Sequence, residues 1–142
     1  MRQKESQNHW IEIGVGLSLL LGLDLIIKQW LMEQSLVSWN RGGFLGWVPS
    51  WWWLPLGMVV IAGVGLKLKQ TQNRWLKWSW LLILAGGIGN LSDRLRFGAV
   101  RDYIPYPGGI QGNLADIYLT VGVSLMLVWL WRQRYETNRT NL

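Results

Sequence analysis

Val121-Gly-Val-Ser-Leu-Met-Leu-Val-Trp-Leu-Trp131 is the stretch on which the fold turns. Ser124 is its only polar side chain, so a helix built from it has no polar face. A helix that is apolar all round is either fully buried in protein or surrounded by lipid. The stretch lies in a run of 15 uncharged residues, 117–131, and similar runs precede it: 13–23 has 11, 42–66 has 25 and 78–92 has 15. A chain of 142 residues makes one domain and cannot enclose four such helices in its own interior. A hydrocarbon core about 30 Å thick needs about 20 helical residues. Three of the four runs reach that length only by taking in ionisable groups at or inside their ends. The reading is an all-α integral membrane protein, one domain over residues 1–142, with four transmembrane helices at 10–32, 48–68, 75–91 and 113–131.

Composition agrees. Charged residues make up 15% of the chain, against about 25% in soluble domains. With no Cys and a single His, thiol chemistry, disulfides, Cys-ligated metals and His-based triads are excluded or nearly so. What remains is carboxylate chemistry or none. The first apolar segment follows Arg2 and Lys4, as in a secretory signal peptide, but Leu21-Gly-Leu-Asp-Leu-Ile-Ile-Lys28 is a poor small-x-small cleavage site and three more spans follow. It reads as a retained helix.

Basic residues set the orientation. Nine lie in the N-terminal tail, the 67–77 loop and the C-terminal tail, whereas Arg41, Arg94, Arg96 and Arg101 lie on the opposite side. The positive-inside rule puts both termini in the cytoplasm and the segments 33–47 and 92–112 outside. Trp51, Trp52 and Trp53 at one end, and Trp75, Trp78 and Trp80 at the other, read as interfacial belts.

The polar chemistry is one-sided. Asn40, Asn90, Asp93, Arg94, Asp102, Asn113 and Asp116 all fall at or near the outer surface. Val100-Arg-Asp-Tyr-Ile104 alternates and is followed by Pro105 and Pro107, so a small extended cradle is expected there, turning back at Pro107-Gly-Gly109. Asn113 is a preferred helix cap. Asp116, one turn into the last helix, gains from the helix dipole but needs a partner inside the bundle. Asp102 and Asp116 are joined by 13 residues that can fold back on themselves. Two adjoining carboxylates share one proton, which suits hydrolysis by a general base and a general acid. The plainer alternative is a pair of loop aspartates satisfied by Arg94, Arg96 or Arg101. Asp24 and Lys28, at i and i+4, read as an intramembrane ion pair with Lys28 extending outward to the interface. Asn90 and Arg94 share the same spacing, and Gly86-Gly-Ile-Gly-Asn90 allows close helix approach. Two other functions draw on the same residues. A small transporter or channel-like subunit would use Asp24, Lys28 and Asp116 as a polar relay, and a divalent-cation site would use Asp93, Asp102 and Asp116.

Gly86-Gly-Ile-Gly-Asn-Leu-Ser-Asp-Arg94, Gly98-Ala-Val-Arg-Asp-Tyr103 and Asn113-Leu-Ala-Asp-Ile117, in this order, resemble the motifs of bacterial signal peptidase II, the lipoprotein signal peptidase. Asp24-x-x-x-Lys28 and Asn40-x-Gly42 resemble two earlier motifs, so the resemblance spans roughly residues 20–131. It implies a four-span enzyme of the bacterial inner membrane with its site facing the periplasm or exterior. The implied reaction removes the signal peptide of diacylglyceryl-modified prolipoproteins, just before the lipid-bearing Cys. By the same resemblance Asp102 and Asp116 are catalytic and Asn40, Asn90, Arg94, Asn113, Asp24 and Lys28 support them or the substrate. No cofactor or metal, no nucleic acid and no obligate protein partner is implied; the partners are the prolipoprotein and membrane lipids. The chain departs from the family pattern at Leu25, usually Gln, in Gly43-Phe-Leu-Gly46, and at Gly112, usually Phe.

The topology is testable directly. A reporter fused to the C-terminus should register a cytoplasmic location, and an external C-terminus would remove the outward-facing site.

Overall fold

The computed structural model describes residues 2–42 and 53–140. In chain order they form α1 (Arg2–Glu33), β1 (Ser38–Asn40), α2 (Trp53–Gln70), α3 (Arg74–Phe97), β2 (Val100–Asp102), β3 (Ile104–Pro105), β4 (Gln111–Gly112) and α4 (Leu114–Thr140). The expected spans at 10–32 and 75–91 lie inside α1 and α3, and that at 113–131 begins on the residue that caps α4. Of the second span, 53–68 is helical, while its expected start at 48, together with Trp51 and Trp52, lies outside the described residues. Among the described residues, Trp10–Glu33 and Leu114–Thr137 are long and apolar enough to cross a membrane, 24 residues each. At 1.5 Å per residue each reaches about 36 Å, more than a hydrocarbon core requires.

The outer surface is apolar where a soluble protein would be charged. Leu19 is 68% exposed, Ile26 68%, Val59 70% and Leu127 58%. A contiguous apolar surface of this kind calls for an apolar solvent. The buried cluster is small: Ile13, Val64, Leu68, Leu81, Ile83 and Leu84, joined by Leu17, Ile61, Trp80 and others. Trp80 therefore packs against the core instead of completing the belt expected with Trp75 and Trp78, which are both exposed.

Helix α3 is central and packs against the other three. Its ends are set locally. The Asn73 side chain accepts hydrogen bonds from the N–H groups of Trp75 and Leu76 (2.9 and 3.2 Å), and Gly98, at φ 68°, closes the other end by donating to the Arg94 carbonyl. A β-carbon on Gly86 would collide with the carbonyl of Ala115, and one on Gly122 would lie 2.8 Å from both the Ser79 carbonyl and Ile83 Cγ1. In lipid, where there is no hydrophobic drive between helices, such close backbone approach is what holds them together.

At the far end of α3 the chain forms a small two-part cradle. β1 pairs antiparallel with β2, matching Ser38 with Asp102 and Asn40 with Val100, and β3 pairs with β4. The extended segment expected at 100–104 and the Pro107–Gly109 turn are both present, the turn carried by Gly108 and Gly109 at φ 85° and 79°. The pairing of β2 with Ser38–Asn40 was not legible beforehand.

Gly86→Ala and Gly122→Ala should each destabilise the protein in detergent by about 1–3 kcal/mol, since neither backbone neighbour can retreat. Gly14→Ala, with nothing within 4 Å of the added carbon, should be neutral. Thermal unfolding of the three variants side by side checks this.

Candidate active site

The site is assembled around the first turn of α4. Asn113 caps the helix: its Oδ1 accepts from the Asp116 N–H (3.1 Å), and Asp116 Oδ2 accepts in return from the Asn113 N–H (3.1 Å). This reciprocal capping arrangement holds the Asp116 carboxylate back over the helix end. The Asn113 Nδ2 donates to Asp102 Oδ1 at 2.6 Å. One fully buried asparagine thus holds both aspartates of the cradle. Asp102 Oδ2 accepts from Asn40 Nδ2 (2.9 Å), which β1 presents because it pairs beside β2. Asp116 Oδ1 accepts from Asn90 Nδ2 (2.7 Å), one turn before Arg94 on α3. The Tyr103 hydroxyl accepts from the Leu114 N–H at 3.1 Å, and burial pushes that phenol up to about 12.

Asp102 is buried and Asp116 half-buried. Burial raises the Asp102 carboxyl above the ordinary carboxylate range, because desolvation penalises its charged form. The hydrogen bonds from Asn40 and Asn113 pull it back in part, and the nearby Asp116 charge pushes it up again.

Beneath this pair lies a cluster of four buried charges. Lys28 Nζ lies 2.9 Å from Asp24 Oδ2 and 3.4 Å from Asp93 Oδ2, and it donates to Asn90 Oδ1 at 3.2 Å. Asp93 Oδ1 accepts from Arg101 Nη2 (2.6 Å) and Nε (3.1 Å), while its Oδ2 accepts the Arg101 backbone N–H. Asp24 Oδ1 accepts from the Ala115 N–H at 3.1 Å. One expectation, and one part of the plainer alternative, are corrected here. Lys28 does not extend to the interface: it is fully buried and directed into the bundle, because two carboxylates and an amide oxygen meet it there. Arg101 does not satisfy the loop aspartates: its fork is committed to Asp93, and its guanidinium carbon also lies 4.8 Å from the Phe97 ring centre. With both oxygens of Asp93 engaged by cations, the three aspartates 93, 102 and 116 do not converge as a ligand set. The Asp93–Arg101 pair was missed in the sequence; the signal was a carboxylate at the end of an apolar helix, which must have a partner.

A cleft of about 610 Å³ opens beside Asp116. Asn40, Asn90 and Arg94 line its polar end, and Leu56, Val60, Ile61, Leu91 and Leu119 line its apolar side. Arg94 Nη1 reaches the Asn90 carbonyl at 3.4 Å. A β-carbon at Gly112 would lie 2.7 Å from the Tyr106 ring and 3.0 Å from Asp116 Oδ2. Glycine therefore makes room for Tyr106 beside the aspartate. Leu25 is exposed on α1 and does not line the cleft, whereas Phe44 and Leu45 lie outside the described residues.

Apolar helices carrying a polar, carboxylate-bearing cleft at one end define a small helical membrane protein built for chemistry at that end. Residues 16–132 match the family model described as signal peptidase (SPase) II. The chain is 31% identical over 140 residues to the lipoprotein signal peptidases of Streptococcus pyogenes serotype M1 and of serotype M5 (strain Manfredo), in each case covering 84% of this chain and 92% of the relative. Its fold is similar to two bacterial membrane enzymes solved by the in meso method at 2.3 and 1.9 Å. Their TM-scores are 0.77 and 0.72 at 18% identity, covering 86% and 83% of this chain and 88% and 91% of theirs. The chain belongs to the signal peptidase II family, and as a signal peptidase it is a protease.

The carboxyl titration can be read directly. Infrared difference spectra across a pH series should show one aspartate still protonated above the ordinary carboxylate range, and Asp102→Asn should remove that band. Asn40→Ala takes away a donor that favours the charged form, so the same band should persist to still higher pH.

Proposed function

We propose that this protein is an aspartic endopeptidase that removes the signal peptide from diacylglyceryl-modified prolipoproteins, cutting just before the lipid-bearing Cys. Asp102 and Asp116 are the catalytic pair. The observation that carries this reading is Asn113, whose side chain and backbone hold one carboxylate each, with Asp116 lining a largely apolar cleft. Four spans with both termini in the cytoplasm would turn that cleft toward the exterior of the bacterial inner membrane, where the lipid anchor and the signal peptide meet. The whole chain from 1 to 142 acts as one such unit.

The division of labour follows from surroundings. Burial favours the protonated form of Asp102, so it polarises the scissile carbonyl and later gives its proton to the leaving amine. Asp116, in the first turn of α4, lines the cleft, and its carboxylate is held there by hydrogen bonds from Asn90 and the Asn113 N–H. It takes the proton from the attacking water. A pair that shares one proton acts only while that proton is held, so cleavage falls at both pH extremes. The apolar side of the cleft, with Ile61 and Leu119, suits the acyl chains or the apolar signal segment, and the polar end receives the peptide bond. Arg94 and Asn40, on that polar end, support the substrate and Asp102.

Asp102→Asn and Asp116→Asn should each lower cleavage of a diacylated prolipoprotein peptide by about a thousandfold or more, with the double variant scarcely worse than either, because members of a catalytic unit are strongly non-additive. The lipid-free peptide should be a poor substrate for the unaltered enzyme. Turnover within a few-fold of wild type in either single variant would remove that residue from the mechanism.

A further inference from the structure

Lys28 is the largest fully buried side chain among the described residues and takes no part in the proton transfers above. Its surroundings are nevertheless ordered toward one of the aspartates. The ammonium lies between Asp24 on its own helix and Asp93 on α3, and its remaining contact is Asn90 Oδ1 at 3.2 Å. The other end of that same amide, Nδ2, donates to Asp116 Oδ1 at 2.7 Å.

We infer that Lys28 is a positioning residue for the hydrolysis, acting through Asn90 to fix the Asp116 carboxylate. The physical reason lies in the donor inventory. A lysine ammonium has three donors and no acceptor, whereas an asparagine amide has an acceptor at one end and donors at the other. If Asn90 were turned over, its NH₂ would face the ammonium, donor against donor, and its oxygen would face the oxygen of Asp116, acceptor against acceptor. Lys28 therefore selects the one amide orientation that gives Asp116 a donor. The charge also polarises the amide, which strengthens the outer hydrogen bond of the chain. The same ion pair reaches α4 by a second arm. Asp24 Oδ1 accepts from the N–H of Ala115, the residue before Asp116. Of the two carboxylate oxygens of Asp116, Oδ1 is held by way of Lys28 and Oδ2 by the helix cap.

The other charged and titratable groups around this chain are accounted for. Arg101, from β2, meets the far side of Asp93, so the buried cluster holds two acids and two bases. Arg94 from α3, and Asp102 and Tyr103 from the cradle, interact with the Asp116 charge directly. Lys28 approaches through the Asn90 side-chain amide.

The inference rests on Asp116 being catalytic, and the test separates the two. Kinetics and thermal unfolding are measured on the full-length enzyme in mixed micelles with the diacylated prolipoprotein peptide. Removing Lys28 alone would strand buried carboxylates, so the variant is Asp24→Asn with Lys28→Met, which leaves Asp93 paired with Arg101. This variant and Asn90→Ala should each lower kcat about 10–100-fold with KM within about twofold, the size expected for groups that orient a reacting residue. The triple combination should be no slower than Asn90→Ala by more than about threefold, since Asp24→Asn keeps an acceptor for the Ala115 N–H and the Lys28 ammonium acts through that amide. Losses that multiply, or a folded Met variant with wild-type kcat, would overturn the inference. Should the Met variant not fold, Asp24→Asn with Lys28→Gln restores a donor to Asn90 and is expected within about tenfold of wild-type kcat; a kcat as low as that of Asn90→Ala would overturn the inference. An active Asp116→Asn would instead overturn the catalytic reading itself.

Discussion

Four charges are buried together where three helices and a strand meet, and the contact of Lys28 with Asp24 and Asp93 is the constraint on which the rest depends. An unpaired charge in such a place is costly, and each partner left alone would be strongly destabilising. The cluster is satisfied only when α1, α3 and β2 stand in one register, because its members come from all three. Asp24 then carries the register to α4 through the Ala115 N–H. In a lipid environment apolar packing gives little preference for one helix arrangement over another. The buried ion cluster supplies the preference.

The aspartates stand directly above that cluster, and their geometry follows from it together with ordinary helix capping. Asn113 closes α4 as many asparagines close helices, by accepting an N–H of the first turn. The returning bond from its own N–H to Asp116, and the bond from its amide to Asp102, turn a local stop signal into the joint of the site. The cradle adds Asn40 because β1 lies along β2. Polar side chains held by two or more partners lose little freedom when a substrate arrives, which is what precise placement of reacting groups requires. Close packing contributes as well. Gly89 leaves room for the Asp24 carboxylate, Gly86 lets α3 meet the Ala115 carbonyl, and Gly112 admits Tyr106 beside Asp116.

Family membership makes the chain a protease of the signal peptidase II type. The cleft is apolar along α2 and polar at the cradle. Arg94 stands where the two linings meet and is half-buried there.

Much of this was legible in the residues alone. Uncharged runs and the absence of a polar face in 121–131 determined helices in an apolar solvent, since no other arrangement satisfies a backbone there. Alternation and prolines determined the extended cradle, and the spacing of Asp102 and Asp116 allowed the two to meet, while their pairing as catalytic residues came from the resemblance to signal peptidase II motifs. Three things were decided only by the tertiary structure. The direction of Lys28 could not be read, because a lysine near a helix end either reaches outward or turns in, and only neighbouring carboxylates choose. The commitment of Arg101 to Asp93 depended on the turn at Gly98 folding β2 back against α3. The packing of Trp80 into the core depended on which face of α3 met its neighbours. Local sequence determines what a segment can do with its own backbone and which chemistry it carries. The choice among partners for a long charged or amphipathic side chain is a contest between groups far apart in the chain, and it is settled only where they meet.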